Sequence, residues 1–217
     1  MTLIRVINPN SNDGVTQAMS EALEPLRLND GPTIDCVTIA EGPFGVESDD
    51  DVRVAGTLVR NEVKRDTEAT AFVIACYSDP GLVAARQETS KPVFGMAESA
   101  ILTAVTRGGD FGVISILDQS VPRHMKHLKE RGMEHFCAGD RPINMTVAES
   151  ASADRAFKRL VEVGSDLRDK DGAKSVILGC AGMARHRTAL EAELGIPVID
   201  PVQAGAAMAV GAVCLDR

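Results

Sequence analysis

At 217 residues, 44% of them hydrophobic, the chain has room for one large domain or two small ones with a substantial core. A formal charge of −8 repels phosphate backbones, and one Tyr, six Phe and no Trp leave little to stack on bases, which argues against nucleic-acid binding. No apolar run is long enough to span a bilayer, and Met1-Thr2-Leu3-Ile4-Arg5 leads straight into a strand-like run without a basic leader; the expectation is a cytoplasmic protein that does not engage membranes.

In chain order, short runs rich in Val and Ile predict strands over 3–8, 34–39, 71–76, 92–94, 111–116, 142–147, 175–179 and 197–199. Between them lie amphipathic stretches such as Asp51–Arg65 and Asp154–Lys170, the latter with Phe157, Leu160, Val161, Val163, Gly164 and Leu167 at helical spacing. Asp49-Asp50-Asp51 reads as an acidic helix start, favourable at the positive end of the dipole. Strands alternating with helices predict an α/β protein with mainly parallel sheets flanked by helices. Gly108-Gly109-Asp110-Phe111-Gly112 precedes a strand rather than following one, so it fails as a dinucleotide fingerprint.

The second half echoes the first. Ile4–Asn8 matches Phe111–Ser115, Ala71–Cys76 matches Ser175–Cys180, and Pro92–Gly95 matches Pro197–Asp200, in the same order and at nearly constant spacing. Two similar α/β lobes related by a pseudo-twofold axis follow, with a ligand cleft between them. The axis would bring Cys76 and Cys180 to one bound molecule from opposite sides. Each ends an apolar run and precedes small, turn-forming residues: Tyr77-Ser78-Asp79-Pro80-Gly81 and Ala181-Gly182-Met183-Ala184. That is where α/β proteins place ligands, and a helix N-terminus there is expected to lower a thiol pKa. One thiol removing a proton while the other delivers one inverts a carbon centre.

Hydrogen-bond donors are expected from the same strand ends. Asn8, Asn10 and Ser11 leave the first strand, and Ser115 is the counterpart of Asn8 in the second lobe. Tyr77 and Ser78 follow Cys76; Gly179, Ala181 and Gly182 flank Cys180. Asn-Pro-Asn-Ser reads equally well as a turn and helix cap. The remaining thiols, Cys36, Cys137 and Cys214, read as core or incidental, and five scattered cysteines fit a reducing compartment. His124 and His127, next to Lys126 and Lys129, read as a solvated basic helix face rather than a metal site, and His186 as a surface residue. No Cys-x-x-Cys pair suggests zinc.

Four stretches resemble the aspartate/glutamate/hydantoin racemase superfamily, and its hydantoin and allantoin racemases most of all: Ile7–Ser11, Gly42–Ser48, Ala75–Leu82 and Leu178–Ala184. Gly95–Glu98 and Ile196–Asp200 are similar too, so the likeness spans nearly the whole chain. Tyr77 stands where many hydantoin racemases have Phe, and Asp200-Pro201-Val202-Gln203 departs from the usual Asp-Gly. The resemblance implies a cofactor-independent, metal-free racemase with Cys76 and Cys180 as catalytic acid and base, working as a homo-oligomer on a small molecule. It further implies that the carboxyl-terminal segment returns to the first lobe, giving lobes of 1–94 plus 203–217 and 95–202.

The expected reaction is inversion at C5 of a 5-substituted hydantoin or allantoin. Racemisation of aspartate or glutamate is an alternative, for which the sequence offers Arg123 and Arg185 as nearby cations. A cysteine-dependent isomerase or decarboxylase of small dicarboxylates is another. A two-lobed binding protein without catalysis is the reading from a different class.

Overall fold

The computed structural model describes residues 2–150 and 154–215. In the first half, β1 (Leu3–Asn8), β2 (Thr33–Thr38), β3 (Ala71–Ile74) and β4 (Val93–Gly95) form a parallel sheet in the order β2-β1-β3-β4. In the second, β5 (Phe111–Ser115), β6 (Cys137–Pro142), β7 (Ser175–Leu178) and β8 (Val198–Ile199) repeat it as β6-β5-β7-β8. The landmarks matched in sequence are thus equivalent strands: β1 with β5, β3 with β7, β4 with β8. β3 and β7 are buried along their whole length, which is why they read as unbroken apolar runs rather than alternating ones.

The helices are α1 (Asp13–Ala22), α2 (Asp49–Arg65), α3 (Leu82–Glu88), α4 (Met96–Thr106), α5 (Ser120–Glu130), α6 (Val147–Ser150), α7 (Asp154–Asp169), α8 (Arg187–Leu194) and α9 (Pro201–Leu215). The acidic start of α2 is a capping box. Ser48 Oγ accepts from the Asp51 N–H, and the Asp51 carboxylate accepts from the Ser48 N–H. Among the described residues, no helix is long and apolar enough to cross a membrane.

One strand departs from expectation. The run that predicts a strand over 142–147 is not the one that pairs, because the ladder runs over Cys137–Pro142. Asn144 takes a left-handed conformation (φ 55°) that breaks the extended run. Ile143 and Met145 still bury, with their N–H groups bonded to the Ser115 and Ile116 carbonyls. The actual strand looks polar because its charges find partners across the fold: Arg141 forks onto Asp171, and Asp140 meets Ser115 and His124.

The helices that follow β4 and β8 change places. α4 leaves the first sheet and packs on β5, β7 and β8, while α9 leaves the second sheet and packs on β1, β3 and β4. The two helices also pack on each other, so one core cluster runs through both halves, while a second lies between the first sheet and helices α2 and α3. Gly205 lets α9 lie against β3, since a Cβ there would sit 2.8 Å from Val73 Cγ1. Gln203 Nε2 ties α9 to the Ala22 carbonyl.

Each exchanged helix starts on a buried carboxylate. Asp79 accepts from the N–H groups of Ala97 and Glu98, and Asp200 from that of Val202. Burial pushes the Asp79 carboxyl up to about 7 and that of Asp200 up to about 6. Between its unfolded value near 4 and these folded values, each holds a proton that the unfolded chain releases. Their contribution is present at low pH and is lost as pH rises through the folded pKa. The melting temperature is therefore expected to fall between pH 5 and 7.5, and to fall less steeply in Asp79→Asn and Asp200→Asn, as read by calorimetry.

Candidate active site

The symmetry of the sheets directs the carboxyl-end loops of both into one pocket. The first half supplies Asn10 after β1, Val46 after β2, and Ala75, Cys76, Tyr77 and Ser78 after β3. The second supplies Ile116 after β5, Val147 after β6, and Gly179, Cys180 and Ala181 after β7. Helix α5 adds Ser120, Arg123 and His124. The pocket holds about 410 Å³, counted out to its open mouth. Ion pairs and hydrogen bonds fasten its rim across the two halves. Arg123 bonds Ser78 (3.2 Å) and Asp49 (2.8 Å), Glu47 accepts from the Val147 N–H (2.9 Å), and Gln119 bonds the Glu47 carbonyl (3.1 Å).

Seven of the residues expected at the site line this pocket: Cys76 and Cys180, with Asn10, Tyr77, Ser78, Gly179 and Ala181. Gly179 has a backbone reason to be glycine. Its N–H bonds the Ile114 carbonyl, and a Cβ would stand 2.6 Å from that oxygen. Four expected donors do not reach the wall. Asn8 is fully buried, and its amide holds the β1–α1 loop through Asn10, the Asn12 carbonyl and Thr16. Ser115 is turned to Asp140 and His124 inside the second lobe. Ser11 spends its N–H on the Pro43 carbonyl. The Gly182 N–H is directed at the Cys180 sulfur rather than at the pocket.

The thiols are not acidified as expected. Burial pushes Cys76 up to about 12, opposed by the Ser78 N–H and by Arg123. Cys180 is likewise raised by burial, against the Gly182 N–H and Ser150. The helix-terminus effect is present as those N–H donors, but loss of water outweighs it. Cys76 keeps some accessible surface where it faces the pocket, while Cys180 is buried. Iodoacetamide is therefore expected to modify both slowly at pH 7, with a rate at Cys76 climbing throughout pH 7–10 instead of levelling near 8.5 as for a free thiol. Mass mapping of peptides would separate them from the exposed Cys214, which should react first. A plateau below pH 9 at Cys76 would contradict this.

The sequence reading missed the inner face of α5. His124 is buried, and His127 is mostly so, rather than solvated. The signal was available: Ser120, His124 and Leu128 recur every four residues and are the buried residues of the helix. His186 is also buried, its ring stacked on Phe157. Tyr77, His127 and Leu128 line a second cavity of about 290 Å³, which shares Tyr77, Ser78, Arg123 and His124 with the first.

Residues 4–209 match the family model described as Asp/Glu/Hydantoin racemase. The hydantoin racemase of Paenarthrobacter aurescens is 36% identical over 98% of this chain and 91% of its own length. Among solved structures, the allantoin racemase from Klebsiella pneumoniae superposes with a TM-score of 0.92 at 28% identity, covering 100% of this chain and 89% of its own. That from Pseudomonas fluorescens superposes at 0.91 with 27% identity, over 99% of this chain and 92% of its own.

Proposed function

Because the chain belongs to the Asp/Glu/hydantoin racemase family, we propose that this racemase inverts C5 of a 5-substituted hydantoin or of allantoin, with Cys76 and Cys180 as the two opposed bases. The observation that carries the reading is that two thiols from equivalent strand ends of different sheets line one small pocket.

The chemistry follows from that placement. A thiolate on one face takes the C5 proton, and the electron pair moves onto the adjacent ring carbonyl as an enolate. The thiol on the other face then protonates C5. One C–H bond breaks and one forms, and the two sulfurs exchange protonation states. Hydrogen-bond donors around the carbonyl stabilise the enolate. The Ser78 hydroxyl, which accepts from Arg123 and keeps its own hydrogen to give, supports this step from the pocket wall. Arg123, the cation on the wall, opposes the burial penalty on the Cys76 thiolate.

The charge on the wall favours a neutral ring over aspartate or glutamate. Arg123 is already paired with Asp49, and Arg185 lines a different surface depression with Asn12 and Glu21. A substrate with two carboxylates would need more positive charge than this pocket offers.

Proton NMR in D₂O tests the reading with single enantiomers of 5-benzylhydantoin, 5-isopropylhydantoin, allantoin, aspartate and glutamate. Loss of the C5 proton signal above the spontaneous rate, with growth of the other enantiomer, is expected for at least one cyclic ureide and for neither amino acid. Exchange with an amino acid and none with the ureides would overturn it.

A further inference from the structure

Three buried side chains that take no part in the two-cysteine chemistry form a chain running to the pocket. Asp140 on β6 is sealed, its side chain 1% exposed. One of its oxygens accepts from the Ser115 hydroxyl at the end of β5. The other lies 2.9 Å from Nδ1 of His124 on α5. A carboxylate can only accept, so Nδ1 carries the hydrogen, and in the neutral form of the ring the lone pair lies on Nε2. Ser115 Oγ, 3.0 Å from the same Nδ1, gives its own hydrogen to Asp140, so it offers Nδ1 an acceptor and not a donor that would reverse the tautomer. The ring plane is fixed on its other side by Tyr77, whose ring meets it edge-on at 4.9 Å between centroids.

With Nδ1 turned to β6, Nε2 is the polar atom left at the opposite edge of the ring. His124 lines both joined cavities. Among the described residues the side-chain hydrogen bonds of His124 are made by Nδ1, and its Nε2 is not one of the sealed, unpartnered polar atoms, as Nε2 of His127 is. An oriented acceptor is thus left at the edge of a residue that lines both cavities, beside the donor Arg123 and apolar walls. Cyclic ureides carry N–H groups beside the carbonyls that receive the charge.

We infer that His124 Nε2 accepts a hydrogen bond from a ring N–H of the bound substrate, with Asp140 and Ser115 as the residues that position it; the inference rests on the ureide-racemase reading above. His124 would then choose between ring orientations, placing C5 between the two sulfurs and the enolate oxygen toward the donors. Good orientation at a reacting centre and a satisfied buried polar group both feed into turnover.

The test pairs enzyme variants with N-methylated substrates. The hydantoin that the wild type turns over fastest would be compared with its N1-methyl and N3-methyl derivatives, using kcat/KM or, for a derivative not turned over, its inhibition constant. His124→Asn keeps a donor beside Asp140 and removes Nε2. His124→Gln keeps an acceptor near the position of Nε2. In the wild type, methylation of one nitrogen is expected to cost roughly 10- to 100-fold, the range for leaving one buried acceptor without its donor. In H124N the parent substrate should fall by a similar factor, and the penalty for that methyl group should shrink to within about threefold, while H124Q should retain part of it. Each ratio is taken within one variant, so it does not depend on how much of that variant is folded. An equal methyl penalty in wild type and H124N, or full activity in H124N, would overturn the role of His124. A wild type that turns over no hydantoin or allantoin would instead overturn the substrate reading.

Discussion

Alanine at either Cys76 or Cys180 is expected to reduce inversion by about 10³-fold or more, since acid–base catalysis by a single group is worth roughly 10²–10⁴ and inversion needs both groups. The two variants should nevertheless differ. With one sulfur left, the enolate can be formed only from the enantiomer whose C5–H faces that sulfur. The proton then returns from the same side, so exchange with solvent occurs with retention. In D₂O, Cys76→Ala should exchange one enantiomer slowly without inverting it, and Cys180→Ala the opposite enantiomer. Circular dichroism should show both variants folded, because each change removes one atom from a pocket wall. Inversion within tenfold of wild type in Cys180→Ala would defeat the two-base mechanism. Exchange of the same enantiomer in both variants would mean that the sulfurs do not flank C5.

The largest expected effect on stability is at Gly81, five residues after Cys76. Its φ is +73°, and a Cβ there would overlap the carbonyl oxygen of Gly56 on α2. The α2–α3 crossing thus rests on two glycine backbones. Alanine would incur the left-handed cost of about 1–2 kcal/mol, and then push α2 from α3 at about 1–3 kcal/mol. For a chain of this size each kcal/mol lowers the melting temperature by about 2–4 °C, so a drop on the order of 10 °C is expected by calorimetry. Gly132→Ala is the control, since φ there is +65° but nothing lies within 4 Å of the added carbon. It should show the left-handed cost alone. Equal losses in the two variants would mean that α2 yields freely. The displaced loop from Cys76 to Pro80 should also slow racemisation in Gly81→Ala.

Much of this architecture was legible in the chain because its inner strands β3, β5 and β7 are buried on both faces. Ala71–Ile74 and Ser175–Leu178 can hardly be anything but inner strands of a parallel sheet, and the cysteines at their ends come to the pocket with them. Edge strand β6 was not legible: Asp140 and Arg141 look like loop residues until Ser115, His124 and Asp171 are seen beside them. Asn8 and Ser115 were expected at the ligand because they end equivalent strands. Strand position does not say which way a polar side chain turns, and both satisfy their own lobe instead. The direction of the thiol shifts was misjudged for a related reason. A helix N-terminus is a local feature, whereas the dehydration that raises Cys76 and Cys180 arises only when distant segments close over them. The face of α5 that carries His124 was open to a periodicity reading, and the neighbouring lysines concealed it.

The exchange of α4 and α9 bears on how the polypeptide is made. The helix that covers β1, β3 and β4 is the last of the described elements, so the first sheet stays open while some hundred residues after β4 are synthesised. Domains usually acquire their structure in order of emergence from the ribosome. Here the amino-terminal half must wait, with Val73 and its neighbours uncovered, until residues 201–215 are free of the exit tunnel. A message truncated just before this helix is expected to yield a product with that apolar face exposed rather than half an enzyme.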